Sequence, residues 1–255
     1  MKSKSITLLL PLLLMAAFFL IMPGAGGAAM WIGGQGGPNF VANGDVKAWS
    51  SYRTLGVNGR LIDVKTETAA LGGITIGYDF VKDGFLGYNW PDWLKYFSFA
   101  IDLTYNNFSQ GAQDVQAKGP RGVFPLRISR VDGHMLVLSF LFIAKYGFFP
   151  DPELPFGRLI PYVGVGPGVF FSVAETSSSF SGYPSSDSGE VGIVTEAGVR
   201  YMVLRNVSLD AAFRYRYVVP SYDVDYYSNY LGNFHVCGRI YAQQFNALFR
   251  VNYHF

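Results

Sequence analysis

Residues 241–255 read Tyr241-Ala242-Gln243-Gln244-Phe245-Asn246-Ala247-Leu248-Phe249-Arg250-Val251-Asn252-Tyr253-His254-Phe255. The odd positions are aromatic or aliphatic except for Gln243. The even positions hold Gln244, Asn246, Arg250, Asn252 and His254, with Ala242 and Leu248 between them. Side chains on a β-strand alternate between two faces, so this period of two predicts a strand with one apolar and one mostly polar face.

The same alternation recurs upstream. In 206–219, Val207, Leu209, Ala211, Phe213, Tyr215, Tyr217 and Val219 oppose Ser208, Asp210, Ala212, Arg214, Arg216 and Val218. In 190–203, Val191, Ile193, Ala197, Val199, Tyr201 and Val203 oppose Glu190, Glu196 and Arg200. Phe97 to Tyr105 opposes Ser98, Asp102, Thr104 and Asn106, and Ile74 to Phe80 opposes Thr75 and Asp79. Three less regular segments complete a set of eight strands: 31–39, which is Gly-rich; 130–148, which is almost wholly apolar; and 159–174, which holds Pro161 and Pro167.

The weights on the two faces indicate what each one meets. Eight strands enclose a bore that side chains fill, or that holds one small ligand. The Phe, Tyr, Leu and Val residues here exceed such an interior, so they are placed outside, against lipid, and the charged face becomes the lumen. A soluble barrel carrying one apolar ligand is the competing reading of the fold.

Connection lengths alternate. The joins at 41–67, 109–129, 175–189 and 220–236 are long, whereas those at 81–92, 149–157 and 204–206 are shorter. Outer-membrane barrels combine an even strand number with short periplasmic turns and long external loops. Both termini are therefore expected in the periplasm.

The amino terminus fits that address. Lys2 and Lys4 precede an apolar run from Ile6 to Met22, then the small residues Gly24 to Ala29. That is the anatomy of a cleaved signal peptide, assigned to residues 1–29, with the barrel domain over 30–255. Loss of Lys2 and Lys4 leaves 18 basic against 18 acidic residues, a neutral mature chain. The longest later apolar run, Met135 to Ala144, has ten residues, too short for a spanning helix. With 15% charged and 17% aromatic residues the chain is not disordered, and with one cysteine, Cys237, it is not a disulfide scaffold. A neutral chain also gives no electrostatic case for nucleic acid.

On these residues the chain resembles the small eight-stranded outer-membrane barrels: the OmpA transmembrane domain, the OmpX type and the opacity-type surface proteins. Pro161-Tyr162-Val163-Gly164-Val165-Gly166-Pro167-Gly168 is similar to a glycine-alternating strand of that group. Trp31-Ile32-Gly33-Gly34-Gln35 looks like its first strand, and Tyr253-His254-Phe255 like its last residues. The resemblance implies an antiparallel up-and-down transmembrane barrel. It also implies that Phe249, Val251, Tyr253 and Phe255 form the signal read by the barrel-assembly machinery. The OmpA periplasmic, peptidoglycan-binding domain has no counterpart before Phe255, so no cell-wall tether is expected.

The charged residues assigned to the lumen are Asp79, Asp102, Lys145, Glu196, Arg200, Asp210, Arg214, Arg216 and Arg250. Buried charges are costly unless paired, which favours a structural ion-pair network over a narrow cationic pore. Catalytic readings fail on spacing. His134 and Ser139 are an odd number of residues apart, hence on opposite faces of one strand. Three scattered histidines and one cysteine supply no metal site, and no cofactor is expected. Trp31, Trp93, Tyr96, Tyr105, Tyr146, Tyr162, Tyr201 and Tyr217 lie near strand ends and are expected in interfacial girdles. The last long connection, with Tyr222, Tyr226, Tyr227, Tyr230, Asp223 and Asp225, reads equally as a contact surface or as a cap over the barrel mouth. The resulting expectation is a monomeric surface barrel, adhesive through its loops, with lipid and a loop ligand as partners. A narrow pore is the alternative and a lipid-modifying enzyme the weaker one.

Overall fold

The computed structural model describes residues 30–42, 44–50, 58–80, 90–119, 122–128, 130–176, 185–228 and 232–255, so the leader assigned to 1–29 lies outside the described residues. The strands, in chain order, are β1 (Met30–Val41), β2 (Gly44–Ser50), β3 (Asn58–Val64), β4 (Ala69–Asp79), β5 (Phe97–Gln110), β6 (Gln113–Gly119), β7 (Gly122–Ile128), β8 (Val131–Lys145), β9 (Leu159–Thr176), β10 (Ser185–Leu204), β11 (Val207–Val218), β12 (Ser221–Ser228), β13 (Gly232–Ile240) and β14 (Ala242–His254). Eight of them close into a barrel in the order β1-β14-β11-β10-β9-β8-β5-β4. Every neighbouring pair is antiparallel, and β1 closes the ring by pairing with both β4 and β14. These are the eight strands expected from the alternation.

Alternation in sequence becomes in and out in space. On β14 the residues Gln244, Asn246, Leu248, Arg250, Asn252 and His254 are buried, while Phe249, Val251, Tyr253 and Phe255 are exposed on the outside. Ile74, Phe99, Phe142, Val163, Val165, Ile193, Val199, Leu209 and Phe213 continue this exposed apolar belt around the barrel. A continuous apolar outer surface on a closed sheet suits lipid rather than water.

Two glycines show how tightly the wall is built. A Cβ at Gly77 would lie 2.1 Å from the indole of Trp31, so only glycine lets that ring fold into the bore. At Gly166, in the glycine-alternating strand, a Cβ would lie 1.7 Å from the Phe140 carbonyl oxygen.

The two ends of the barrel differ. At one end the connections are tight: Arg205–Asn206 links β10 to β11, and a 3-10 turn at Asp92–Tyr96 leads into β5. Asp151 organises the turn between β8 and β9. Its Oδ1 accepts from the backbone N–H groups of Leu154 (2.7 Å) and Glu153 (2.9 Å), and its Oδ2 accepts from Arg158 Nε at 2.6 Å. The Leu154 amide, helped by Arg158, holds that carboxyl below its ordinary range. Both ends of the described chain meet here, with Phe255 N–H donating to the Met30 carbonyl at 3.0 Å.

At the other end the long connections are not irregular loops. Three of them form hairpins, β2–β3, β6–β7 and β12–β13, which pair into a six-stranded sheet in the order β12-β13-β2-β3-β6-β7. Each hairpin strand continues a barrel strand after a short break, so this order repeats that of β11-β14-β1-β4-β5-β8 beneath it. The long connections expected at this end are thus largely paired strands. Connections of this length in a compact domain rarely stay structureless, and side-by-side hairpins satisfy their backbone groups by pairing.

Candidate functional site

The nine charged side chains assigned to the lumen lie inside the bore, eight of them in two linked groups and Arg216 apart from both. Nearest the tight turns, Lys145 Nζ meets Asp79 Oδ1 at 2.5 Å, and Ser98 Oγ donates to the same oxygen at 2.6 Å. Arg200 lies over the Trp31 ring, 4.4 Å from its centre, and its Nε donates to Asp210 Oδ1 at 3.1 Å. Trp31 is therefore a lumen residue. Its assignment to an outer girdle is corrected, because Gly77 leaves the space and Arg200 supplies a cation for the ring face.

The middle of the bore is crossed by one connected network. Arg214 Nη1 donates to Asp102 Oδ1 at 2.8 Å, and its Nη2 to Oδ2 at 3.1 Å. Its Nε donates to Glu196 Oε2 at 2.7 Å. Arg250 joins the same acids, with Nη2 3.2 Å from Glu196 Oε1 and Nη1 3.4 Å from Asp210 Oδ2. Gln35 accepts from Arg250 Nη2 at 2.8 Å and donates to Asp102, while Thr75 Oγ1 donates to Asp102 Oδ2 at 2.7 Å. Tyr162 OH donates to Glu196 Oε1 at 2.9 Å. This places Tyr162 inside the bore and corrects its girdle assignment: it precedes Gly164, Gly166 and Gly168 on the inward face of β9. Trp93, Tyr105, Tyr146 and Tyr201 do face outward, between 47% and 60% exposed.

Above this network, toward the hairpins, the character of the lumen changes. Arg216 is fully buried. Its Nη2 reaches across the bore to Thr104 Oγ1 at 2.6 Å, whereas Nε and Nη1 meet no acceptor among the described residues. The walls there are Val137, Val194, Phe170, Val218 and Met135, all buried and apolar. Sequence reading missed this apolar sector because β8 is apolar on both faces: one side meets lipid and the other the upper bore. A strand apolar on both faces has no period to read.

Chemically, the centre of the bore is a closed set of opposite charges. Arg214, Asp102, Glu196 and Arg250 are each at most 3% exposed. His134 is exposed and Ser139 is buried on the opposite face of β8, so the two form no dyad.

No protein-family model matches the sequence, and no curated protein matches it. Solved structures do. The chain is similar to the outer membrane protein OprG from Pseudomonas aeruginosa, with 14% identity, a TM-score of 0.51, and coverage of 91% of this chain and 99% of that one. It is also similar to Neisserial surface protein A (15% identity, TM-score 0.45, covering 91% of this chain and 100% of that one). The outer membrane protein AlkL is similar at 19% identity, with a TM-score of 0.41 over 92% of this chain and 94% of that one. At 14% identity the likeness to OprG carries the fold alone, a β-barrel of the outer-membrane type, in keeping with the eight-stranded closed barrel of this chain.

Proposed function

We propose that this chain is a surface-exposed outer-membrane protein, without enzymatic activity, whose barrel anchors and whose hairpin sheet does the work outside the cell. The observation that carries this reading is the barred bore. The Asp102–Arg214–Glu196–Arg250 network crosses the lumen and leaves its members at most 3% exposed, which supports a plugged barrel over a conducting one. In this reading the nine lumen charges are structural. The tight-turn end, with Met30 and Phe255, faces the periplasm after removal of the leader. The outward residues Phe249, Val251, Tyr253 and Phe255 present the assembly signal.

Two measurements on one preparation test it. In a planar bilayer the folded, inserted protein is expected to give no steady openings. On intact cells, protease is expected to cut within 45–60, 110–125, 176–188 and 221–234. Discrete openings whose ion selectivity changes in Arg214→Ala would replace this reading with a narrow pore, and uncut hairpins on intact cells would reverse the orientation.

A further inference from the structure

The charges of the bore do not balance. Asp79 is matched by Lys145 and Asp210 by Arg200, while Asp102 and Glu196 share Arg214 and Arg250. Arg216 is left over, the fifth cation against four acids. A guanidinium does not deprotonate in a protein, and a buried charge without a counter-charge is costly. The sequence therefore places a fixed positive charge where the fold gives it no acid of its own.

Arg216 is completely buried on the inward face of β11. Its Nη2 is engaged by Thr104 Oγ1, but Nε and Nη1 meet no acceptor among the described residues. The next acid up β10 from Glu196 is Glu190, and it accepts from Ser221 Oγ at 2.7 Å instead. A second buried side chain beside Arg216 is also poorly matched. Gln244 stands directly opposite Arg216 in the ladder between β11 and β14. Its Nε2 donates to the Met135 thioether at 3.4 Å, a weak acceptor, and its Oε1 has no partner among the described residues. Directly opposite residues stand about 5 Å apart at Cβ, so both side chains can reach one group held between them. The terminal torsion of glutamine is soft, so Nε2 can turn from the sulfur to a better acceptor.

We infer that Arg216 and Gln244 bind one small monovalent anion, of the size of a halide, which completes the charge balance of the bore. Three observations set the class. The excess charge is a single one, so a divalent oxyanion would overshoot it. The groups without good partners on Arg216 and the amide of Gln244 supply N–H donors, which suit an anion. The surrounding walls, Val137, Val194, Phe170 and Val218, are close-packed and buried, so the hydrocarbon tail of an organic acid does not fit among them. The assignment rests on the plugged bore, because an ion that balances a buried charge stays in place rather than passing through.

The test is urea unfolding of the full-length barrel in neutral lipid vesicles, with chloride exchanged for gluconate at constant ionic strength. Constant ionic strength holds screening fixed, and gluconate is too large for the site. In the parent, the unfolding constant is expected to fall as chloride rises, tenfold for each tenfold rise above half-saturation. Bromide is expected to act in the same way. Arg216→Met is expected to be the more stable of the two chains in gluconate and to respond less than twofold to chloride. Arg216→Lys keeps the charge and is expected to keep the response, and Gln244→Leu to need at least threefold more chloride for the same effect. An unfolding constant that is equal in chloride and gluconate for the parent would overturn the assignment. So would an undiminished chloride response in Arg216→Met. Crystals of the parent grown in bromide read the site without any variant: an anomalous peak beside Arg216 and Gln244 is expected, and peaks confined to surface cations would overturn the assignment. Bilayer recording tests the plugged bore by itself, so failure of that reading is distinguishable from failure of this one.

Discussion

The bore and the hairpin sheet treat charge in opposite ways. Inside the barrel, Asp79, Asp102, Glu196 and Asp210 are joined to Lys145, Arg200, Arg214 and Arg250, opposite sign against opposite sign. On the sheet, Arg239, Lys47, Arg60 and Lys118 stand like against like. The difference follows from solvent. A charge removed from water must find its counter-charge within the protein, because the desolvation cost of leaving it alone is several kcal/mol. An exposed charge is screened, so its neighbours can share its sign at small cost and its counter-charge can come from outside. Inside the bore, charge serves cohesion; on the exposed sheet, like charges can stand side by side.

Arg214→Leu breaks the inside of this comparison most severely. It leaves Asp102 and Glu196 buried with one principal cation fewer, and it should lower stability by about 3–5 kcal/mol. Urea unfolding of the barrel in lipid vesicles measures this, and a loss below about 1 kcal/mol would mean that the network is not what closes the bore. Arg216→Met sharpens the same comparison with the opposite sign. Arg216 is the basic lumen residue left over once the other four are matched with acids, and its Nε and Nη1 have no acceptor among the described residues. Replacing it with an apolar side chain of similar length should raise stability by about 1 kcal/mol in the same assay. A clear loss would show that Arg216 shares the charge of the acids below it.

Lys47→Glu probes the sheet, where the effect is smallest. It converts two like-charge neighbours, Arg239 and Arg60, into opposite-charge ones, while the contact of Lys47 with Tyr241 is lost. The net expectation is a gain of roughly 0.5 kcal/mol in the local stability of β2 and β3, read by amide hydrogen exchange. Reduced protection would mean that the row is not under like-charge strain.

These effects map onto what could be read from the chain alone. Eight of the nine lumen charges were legible because each lies on a strand whose period of two separates faces without reference to any partner; Lys145 ends β8, which has no such period. Asp102, Glu196, Arg214 and Arg250 could therefore be assigned to the bore from their own neighbours in sequence. Trp31 and Tyr162 were assigned outward from their residue type and their nearness to strand ends. Their true place depends on Gly77 and on Glu196, which are 46 and 34 residues away. The hairpins were hidden because their strands are short and their pairing is with one another rather than with a regular apolar face.

By itself, then, the sequence determined the eight barrel strands, which side of the alternating ones meets lipid, and which charges lie inside, because side-chain alternation along a strand is a local property. Only the tertiary structure decided which acid meets which arginine, that the upper bore is apolar around Arg216, and that residues 47, 60, 118 and 239 stand in one row. Those facts depend on register between strands distant in sequence. Register is set by closure of the barrel and by the hydrogen-bond ladders of the hairpins stacked on it, and no single segment carries it.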